Sequence, residues 1–307
     1  MSGLLGKIFR KRKTTPEEQL EIDSEKTQPI PADWVAAQLE KEPSRQARLE
    51  PPQLVVGVGQ SVGKVRDHNE DALLALTTTL VSDSTQIPFG FFIVADGMGG
   101  HKHGDMASGV ATRAMASHVL RNFYLPLFNL SPKIPELSLQ EILREGVEAA
   151  HRAIIKQAPG GGTTLTAMLI FANQLTIAHV GDSRAYAIKP DESLEVLTRD
   201  HSLVKRLQEL GQITAEEAAV HPQRNVLYRA LGQGEPFEAE ITTFPLPSQG
   251  HLLLCSDGLW GVVSQSELLD AISSSPSPAE AAQKLVSAAN QAGGPDNITA
   301  IIVRLPD

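Results

Sequence analysis

The chain has 307 residues, of which 41% are apolar, which is enough for one large folded domain or two of ordinary size. Its 27 Lys and Arg residues against 36 Asp and Glu residues give a net charge of −9, which argues against a general nucleic-acid-binding protein because such proteins carry a basic face. The single cysteine, Cys255, excludes an internal disulfide, and nothing points to an oxidising compartment.

Residues 1–52 differ in composition from the rest and are predicted to form a tail ahead of one folded domain at residues 53–307. Residues 4–13 are basic and partly apolar, which is typical of a weak contact with an anionic membrane surface or of a solvated, disordered start. The shortness of the apolar part favours the second. The next stretch reads as a linker in which Asp33 could cap a brief helix. Because the chain lacks a long apolar run and a secretory signal, the sequence predicts a cytoplasmic protein.

The predicted domain opens with a strand-like run at residues 54–60, which leads to Arg66. A guanidinium group presents paired donors to two phosphate oxygens, so Arg66 is a candidate phosphate ligand, although an isolated arginine is usually a surface charge. Glu70 and Asp71 follow at the head of an apolar segment, residues 72–76. The sequence therefore places an arginine and two carboxylates next to the start of a strand.

The most informative stretch is the apolar run at residues 91–95, which ends at Asp96. Its β-branched and aromatic residues predict a strand that is buried on both faces. Gly97 lets the backbone turn, so that its own carbonyl can approach whatever the carboxylate binds. A lone Asp-Gly after a strand is usually only a turn, so the interpretation depends on whether the pattern recurs.

The pattern does recur. Apolar runs lead to Asp182 and to Asp257, and Asp296 immediately precedes the run at residues 298–303. These acidic residues could mark separate turns, or they could converge on a hard cation. Carboxylates that lie close together repel and raise one another's pKa unless a cation neutralises them. Oxygen ligands without a partnering Cys or His cluster indicate Mg²⁺ or Mn²⁺ rather than zinc.

The remaining elements are helices inserted between strands, with a proline-interrupted connection at residues 122–135. Glycine-rich residues 159–164 lack the Gly-Lys-Ser/Thr ending of a nucleotide P-loop and precede a strand, so they predict a tight turn. Residues 257–261 also predict a turn, in which Trp260 is expected to be a packing residue. Helices are predicted at 105–120, 139–157, 202–210 and 214–220, and Ser/Thr-x-x-Glu capping boxes at Ser138, Thr214, Ser264 and Ser277. This order is not a regular βαβ alternation, and it predicts an α+β fold.

Six motifs stand in a recognisable order: RDHNED at 66–71, DGMGG at 96–100, GTT at 162–164, GDSR at 181–184, DGLW at 257–260 and DN at 296–297. Together they resemble the metal-dependent protein serine/threonine phosphatases (type 2C, or PPM), in particular the bacterial branch. The resemblance spans about residues 54–304. It implies two stacked antiparallel β-sheets flanked on both faces by α-helices, with the metal site at one end of the sandwich.

The resemblance also implies a ligand set. Asp96 would bridge two Mg²⁺ or Mn²⁺ ions, with the Gly97 carbonyl on one ion and Asp257 and Asp296 on the other. Asp182 matches the position that helps to bind a third, weaker ion in bacterial relatives. The segment at residues 198–232 would form a flap beside the site that shapes substrate choice, although it could also be a helical decoration without a catalytic part.

Three further residues receive catalytic roles from the resemblance. Arg66 would bind the phosphoryl oxygens, and Glu70 and Asp71 would hold metal-bound waters or contact the metal directly. A metal-activated water would attack phosphorus in line, and no side chain would become phosphorylated.

One position departs from the pattern of many eukaryotic members, which place a histidine directly after Asp-Gly. That position is Met98 in this chain. His101 and His103 lie nearby, but a lone His-x-His in a polar loop is more often solvent-exposed than catalytic. The general acid is therefore unassigned, and a metal-bound water could serve.

The expected function is hydrolysis of phosphoserine and phosphothreonine in proteins, opposing serine/threonine kinases. Two alternatives stay open: a non-catalytic relative that binds phosphoproteins, and a metal-dependent hydrolase of nucleotides or small phosphate esters. In the tail, Thr27 with Ile30 three residues later resembles ligands of forkhead-associated domains once phosphorylated, although an unmodified linker threonine is the plainer interpretation.

Overall fold

The computed structural model describes residues 51–82, 85–98, 103–128, 137–234 and 237–306. The predictions for the tail lie outside these residues, including the membrane-contact segment, the short helix and the Thr27 motif. His101 also lies outside them. Within the described ranges, no helix is long and apolar enough to cross a membrane.

The strands form two antiparallel sheets. One sheet has five strands in the order β1-β11-β10-β7-β8, and the other has six, in the order β2-β3-β5-β6-β9 with β4 paired to β3. The strands are β1 (Val55–Ser61), β2 (Asp71–Ser82), β3 (Thr85–Met98), β4 (Gly162–Thr163), β5 (Leu165–Phe171), β6 (Gln174–Val180), β7 (Arg184–Ile188), β8 (Leu194–Val196), β9 (Glu240–Pro245), β10 (His251–Cys255) and β11 (Ile298–Arg304).

The helices lie between the strands along the chain. They are α1 (Gly104–Val119), α2 (Leu139–Gln157), α3 (Leu203–Glu209), α4 (Ala215–Ala219), α5 (Asp257–Trp260), α6 (Gln265–Ser273) and α7 (Pro278–Gln291). Helix α1 continues through a π-helical stretch, Leu120–Tyr124, and a final α-helical turn, Leu125–Leu127.

Alternation along the strands divides the core into layers. Phe92 and Met168 of one sheet pack with Leu254 and Ile301 of the other between the sheets. The opposite face of the six-stranded sheet packs against α1 and α2, and the opposite face of the five-stranded sheet packs against α6 and α7. Because successive strand residues point to opposite faces of a sheet, one run of apolar residues contributes side chains both to the layer between the sheets and to the layer under the helices. The expected α+β sandwich with helices on both outer faces is confirmed.

The capping predictions hold at Ser138, Thr214 and Ser264, each of which forms a complete capping box. At Ser277 the prediction is only half right. The Ser277 hydroxyl accepts from the backbone N–H of Glu280 at 3.2 Å, but the Glu280 carboxylate reaches the Ser277 hydroxyl rather than its backbone N–H. Each hydroxyl satisfies one of the N–H groups that a helix start leaves without an intrahelical partner.

Three local predictions were wrong. Residues 122–127 continue a helix instead of forming a connection, because Phe123 is buried with its ring against Phe89 and Phe171. The Asp-Gly-Leu-Trp stretch is helix α5 and not a turn. Asp96 does not end its strand, because Gly97 and Met98 still pair with β4.

Strand register brings the acidic positions to one end of the sandwich. Asp71 lies directly opposite Asp96 in the β2–β3 pair. Cys255, two residues before Asp257, lies opposite Arg184, two residues after Asp182. Ser61 pairs with Ile298, the first residue of β11, so Asp296 falls at the same end.

Candidate metal centre

The backbone around Asp96 is fixed by the Gly-Thr-Thr turn. The Asp96 N–H donates to the Thr164 hydroxyl at 2.8 Å, and the Asp96 carbonyl accepts from the Thr164 N–H and the Thr163 hydroxyl, each at 2.8 Å. The Thr164 hydroxyl also contacts the Ser183 hydroxyl at 2.9 Å. The sequence indicated only a tight turn here, whereas both threonine hydroxyls hold an acidic residue in place.

Gly97 occupies a position with no room for a side chain. A Cβ there would collide with the backbone of Gly104 and lie 2.6 Å from the Glu70 carbonyl. That carbonyl accepts from the Gly97 N–H at 3.2 Å and from the Ser108 hydroxyl at 2.5 Å. Gly97 is therefore required by close packing against the Glu70 loop, in addition to any role of its carbonyl.

Asn297 organises the loop that carries Arg66 and Glu70. Its side-chain oxygen accepts from the Glu70 N–H at 2.8 Å, and its amide nitrogen donates to the carbonyls of Val62 and His68, each at 2.9 Å. The Asp-Asn motif was noted in the sequence, but no role followed for the asparagine. Its neighbour Asp296 accepts from Arg66 at 2.7 Å.

Asp71 is a buried carboxylate of the centre, with 8% of its surface exposed. Its Oδ2 accepts from the hydroxyls of Ser256 at 2.8 Å and Thr299 at 2.6 Å. Its Oδ1 is buried and has no hydrogen-bond partner in the described part of the chain, and the same holds for Oδ1 of Asp257. Two buried carboxylate oxygens thus face the centre with unused acceptor capacity.

Asp182 lies at the point where the chain passes from one sheet to the other. Gly181 has a φ of 109°, a left-handed conformation that favours glycine. The backbone N–H of His201 donates to the Gly181 carbonyl at 2.7 Å, and the Trp260 indole N–H donates to the Asp182 carbonyl at 3.0 Å. The Asp182 side chain is buried close enough to Asp257 for the two charges to interact.

The electrostatics show that these carboxylates are crowded. Burial, together with the charges of Asp257 and Asp296, raises the pKa of Asp71 to about 7. Burial and Asp296 raise the pKa of Asp257 to about 6. The pKa of Asp96 lies well above its usual value because of burial and then the charges of Asp71, Asp257, Asp182 and Asp296.

Asp182 follows the same pattern, because burial and then the charge of Asp257 raise its pKa well above its usual value. In each case burial is the largest cause of the raised pKa, and the neighbouring carboxylate charges add to it, so the charged forms are unfavourable in the protein alone. The donor set fits a hard divalent cation, since it consists of carboxylate and carbonyl oxygens.

The ligand shell is not closed as it stands. Across the described ranges, no group of three or more His, Cys, Asp and Glu side chains is arranged so that it could hold a metal ion. One expected ligand, Asp296, is paired with Arg66 instead, whose side chain is 48% exposed. The oxygen donors, their burial and the two unpartnered carboxylate oxygens fit a hard cation. To bind one, the acidic side chains must move closer together than they are in this structure.

The structure brings all the predicted site residues to one end of the sandwich. Histidines were harder to place: His68 contacts Asp67 at 2.7 Å and Glu70 at 3.3 Å, a position that the sequence did not single out. His103 is exposed ahead of α1. Trp260 was expected to be a packing residue, but it is also a hydrogen-bond donor to the centre.

The structure is thus a four-layer α+β sandwich with buried carboxylates gathered at one end. The sequence model of the family described as Protein phosphatase 2C matches residues 56–298. The chain therefore belongs to the protein phosphatase 2C family, whose members are metal-dependent enzymes.

Individual relatives agree with this assignment. The chain is 37% identical over 250 residues to the serine/threonine phosphatase stp of Listeria welshimeri, covering 78% of this chain and 92% of that protein. It is 39% identical over 223 residues to the protein phosphatase PhpP of Streptococcus pneumoniae, covering 69% of this chain and 85% of that protein.

Solved structures show the same fold. The serine/threonine phosphatase PstP/Ppp of Mycobacterium tuberculosis matches with a TM-score of 0.67 and 33% identity, covering 83% of this chain and 99% of that chain. The catalytic domain of PstP in complex with two manganese ions matches with a TM-score of 0.66 and 32% identity, with the same coverage of both chains.

Proposed function

We propose that this protein is a metal-dependent serine/threonine phosphatase that hydrolyses phosphoserine and phosphothreonine in proteins. The observation that carries the proposal is the gathering of mutually repelling carboxylates at one end of the sandwich, with raised pKa values at Asp71, Asp96, Asp182 and Asp257. Several ionised carboxylates buried together are unfavourable without a cation, and a bound cation would offset their charge.

The proposed ligands are those that the family resemblance implies. Asp96, the Gly97 carbonyl, Asp257 and Asp296 would hold two Mg²⁺ or Mn²⁺ ions, and Asp182 would contribute to a third, weaker one. When bound, these ions would supply Lewis-acid activation of water and neutralisation of the phosphoryl charge.

The side chains around the centre have separable tasks. Arg66 presents two N–H groups to phosphoryl oxygens once it leaves Asp296. Asp71 holds a water through its unpartnered Oδ1, and the hydroxyls of Ser256 and Thr299 fix the orientation of its carboxylate. Glu70 is held by Asn297 and by the packing of Gly97 and Gly104, which aims it at the same region.

The segment at residues 198–232 is proposed to select substrates. Its end pairs with the Gly-Thr-Thr turn through reciprocal Thr163–Leu231 backbone hydrogen bonds of 3.1 and 2.9 Å, so it starts and finishes beside the centre. It exposes several large apolar side chains, namely Leu210, Val220, Val226 and Tyr228. Such side chains suit contact with the residues that flank a phosphorylated position in a protein.

The test is release of phosphate from a phosphothreonine peptide by the full chain, in Mn²⁺ and in EDTA, with nucleotides as competing substrates. Asp257→Asn removes one proposed ligand. Asp270→Asn makes the same chemical change on the exposed face of α6 and serves as the matched control. We expect metal-dependent turnover of the peptide that Asp257→Asn abolishes and Asp270→Asn preserves.

Faster hydrolysis of nucleotides would indicate the small-phosphate-ester hydrolase instead. Peptide binding without turnover in Mn²⁺ would indicate the non-catalytic phosphoprotein-binding alternative.

The proposed partners are phosphoproteins and an opposing serine/threonine protein kinase. The tail supplies two further proposals: residues 4–13 contact anionic membrane surfaces weakly, and phosphorylated Thr27 binds a forkhead-associated domain. Vesicle sedimentation of the full chain with and without residues 4–13 tests the first. Mass spectrometry that finds no phosphate at Thr27 under kinase-active conditions would contradict the second.

A further inference from the structure

Arg184, Asp200 and Trp260 come from three separate segments and meet beside Asp182; we name this group the arginine clasp. The Arg184 guanidinium donates to both carboxylate oxygens of Asp200, from Nε at 2.9 Å and from a terminal nitrogen at 2.6 Å. Its central carbon lies 3.5 Å from the centre of the Trp260 ring. The Trp260 indole N–H in turn donates to the Asp182 carbonyl at 3.0 Å.

The clasp connects the parts of the fold that carry two proposed ligands. Arg184 begins β7, and its backbone pairs with Cys255 at the end of β10. Trp260 ends helix α5, whose first residue is Asp257. The indole N–H therefore joins the main chain of Asp182 directly to the helix that bears Asp257.

The third member extends the connection to the segment at residues 198–232. Asp200 lies near the start of that segment and has only 7% of its side chain exposed, while Arg184 has 24% exposed. A two-pronged arginine–carboxylate contact in a mostly buried setting fixes both groups in one geometry, unlike an exposed ion pair. The planar guanidinium also stacks on the indole, which an ammonium group would not reproduce.

We propose that Arg184 and Trp260 are positioning residues for Asp182. The indole N–H fixes the Asp182 main chain relative to Asp257, and the guanidinium holds the indole ring in the orientation from which it donates. The inference rests on the proposed function, because it assigns the clasp to the weaker ion that Asp182 would help to hold. Both residues are assigned a role in placing Asp182, and neither is assigned a contact with the phosphoryl group.

The sharpest variant is Trp260→Phe, which keeps an aromatic face for the guanidinium and removes the N–H donor. Tyr186→Phe is the matched control. It removes a hydroxyl that accepts from Arg184 at 3.4 Å, on a side chain that is 1% exposed and is not hydrogen-bonded to Asp182 in the described contacts. Both variants lose one polar contact near Arg184, but only one of them loses the contact with Asp182.

The readout is calorimetric titration of the full chain with Mn²⁺, together with thermal melting in EDTA. We expect Trp260→Phe to weaken the lowest-affinity Mn²⁺ event by about five-fold, the effect of one lost hydrogen bond, with the tighter events unchanged. Tyr186→Phe should titrate like wild type. Arg184→Lys should weaken the same event, and the double variant should be no worse than the stronger single variant, because both act through one contact.

Several outcomes would overturn the inference while leaving the proposed function in place. They are a Trp260→Phe isotherm equal to wild type despite a lower melting temperature, equal weakening of every Mn²⁺ event, and a wild-type isotherm that shows no weaker event. If wild type binds no Mn²⁺ at all, the proposed function fails and the inference fails with it.

Discussion

Strand register places the carboxylates at the end of the sandwich, whereas side-chain and backbone contacts near its two ends hold the neighbouring segment at residues 198–232. Asp71 and Asp96 face each other across a twelve-residue β2–β3 pair. The segment contains only two short helices, α3 and α4, of seven and five residues. It is anchored to the rest by contacts such as the Asp200–Arg184 ion pair and the Thr163–Leu231 backbone hydrogen bonds. The backbone of the centre is thus fixed by a long strand pair, whereas the segment beside it has little regular structure of its own.

The largest effect of a substitution on activity is expected at Asp96, in the carboxylate cluster. Asp96→Asn should lower kcat on a phosphothreonine peptide by at least about a hundred-fold, because charge stabilisation at the centre is lost. The same change should raise the melting temperature of the metal-free protein at pH 8, since it removes one of several repelling charges. Activity assays measure the expected fall in kcat, and thermal melting in EDTA measures the expected rise in melting temperature. A lower melting temperature would show that the carboxylates do not repel in the folded state.

The pH dependence of stability should be the next largest effect. The pKa of Asp71 is raised from 3.8 to about 7. The folded protein therefore holds a proton that the unfolded chain has released, and stability falls as pH rises between these values. Asp71→Asn should stabilise the metal-free protein by an amount that grows from pH 5 to about pH 7 and is constant above it.

That difference must be measured against wild type at each pH, because a buried histidine acts in the opposite direction. Burial and then His201 lower the pKa of His179 to about 3, so His179 favours the folded state more as pH rises from 3 to its ordinary value of 6.5. Asp270→Asn, the same chemical change on the exposed face of α6, serves as the control. A stabilisation by Asp71→Asn that does not vary with pH would contradict the raised pKa.

A smaller effect is expected where hydroxyls hold the backbone of the centre. Thr164→Val keeps the shape of a side chain that is 1% exposed and removes the acceptor of the Asp96 N–H. Leaving that donor unpaired should cost about 1–3 kcal/mol of unfolding free energy and about ten-fold in kcat. Denaturant unfolding and peptide hydrolysis measure both. Thr164→Ser keeps the hydroxyl and should retain most of the activity that Thr164→Val loses.

The smallest effect on stability is expected in the segment. Val220 is 79% exposed, so Val220→Ser should change the unfolding free energy by less than about 0.5 kcal/mol. It should raise KM for a phosphopeptide and leave hydrolysis of p-nitrophenyl phosphate unchanged, because the small ester does not reach the segment. Equal changes for both substrates would place Val220 outside substrate selection.

The positions of the acidic site residues could be predicted from the sequence wherever an apolar run leads directly to an aspartate. Apolar runs that end at Asp96, Asp182 and Asp257 are visible in one dimension, and antiparallel register then brings the acids together. The helix at residues 139–157 followed from its helical periodicity and its capping box. The pattern of elements gave an α+β fold, whereas the two-sheet sandwich followed only from the family resemblance.

The contacts that refine the centre were not predictable in the same way. Thr164, Asn297 and Trp260 act through hydrogen bonds to backbone atoms of residues 68 to 227 positions away in the sequence. A hydroxyl, an amide or an indole gives no sign of its partner. Helix continuation to Leu127 was missed because it depends on Phe123 packing against two strands. The Arg66–Asp296 pair was missed because each residue had been given a ligand of its own.

The most direct test of the central claim is titration of the metal-free protein with Mn²⁺ in two buffers of different ionisation enthalpy at pH 6.5, followed by repetition at pH 8.5. Because the pKa values of Asp71 and Asp257 are raised to about 7 and about 6, Mn²⁺ binding should release protons at pH 6.5 and markedly fewer at pH 8.5. Asp96→Asn should lose the tight binding. Tight Mn²⁺ binding with no proton release, or binding that Asp96→Asn leaves unchanged, would contradict the account.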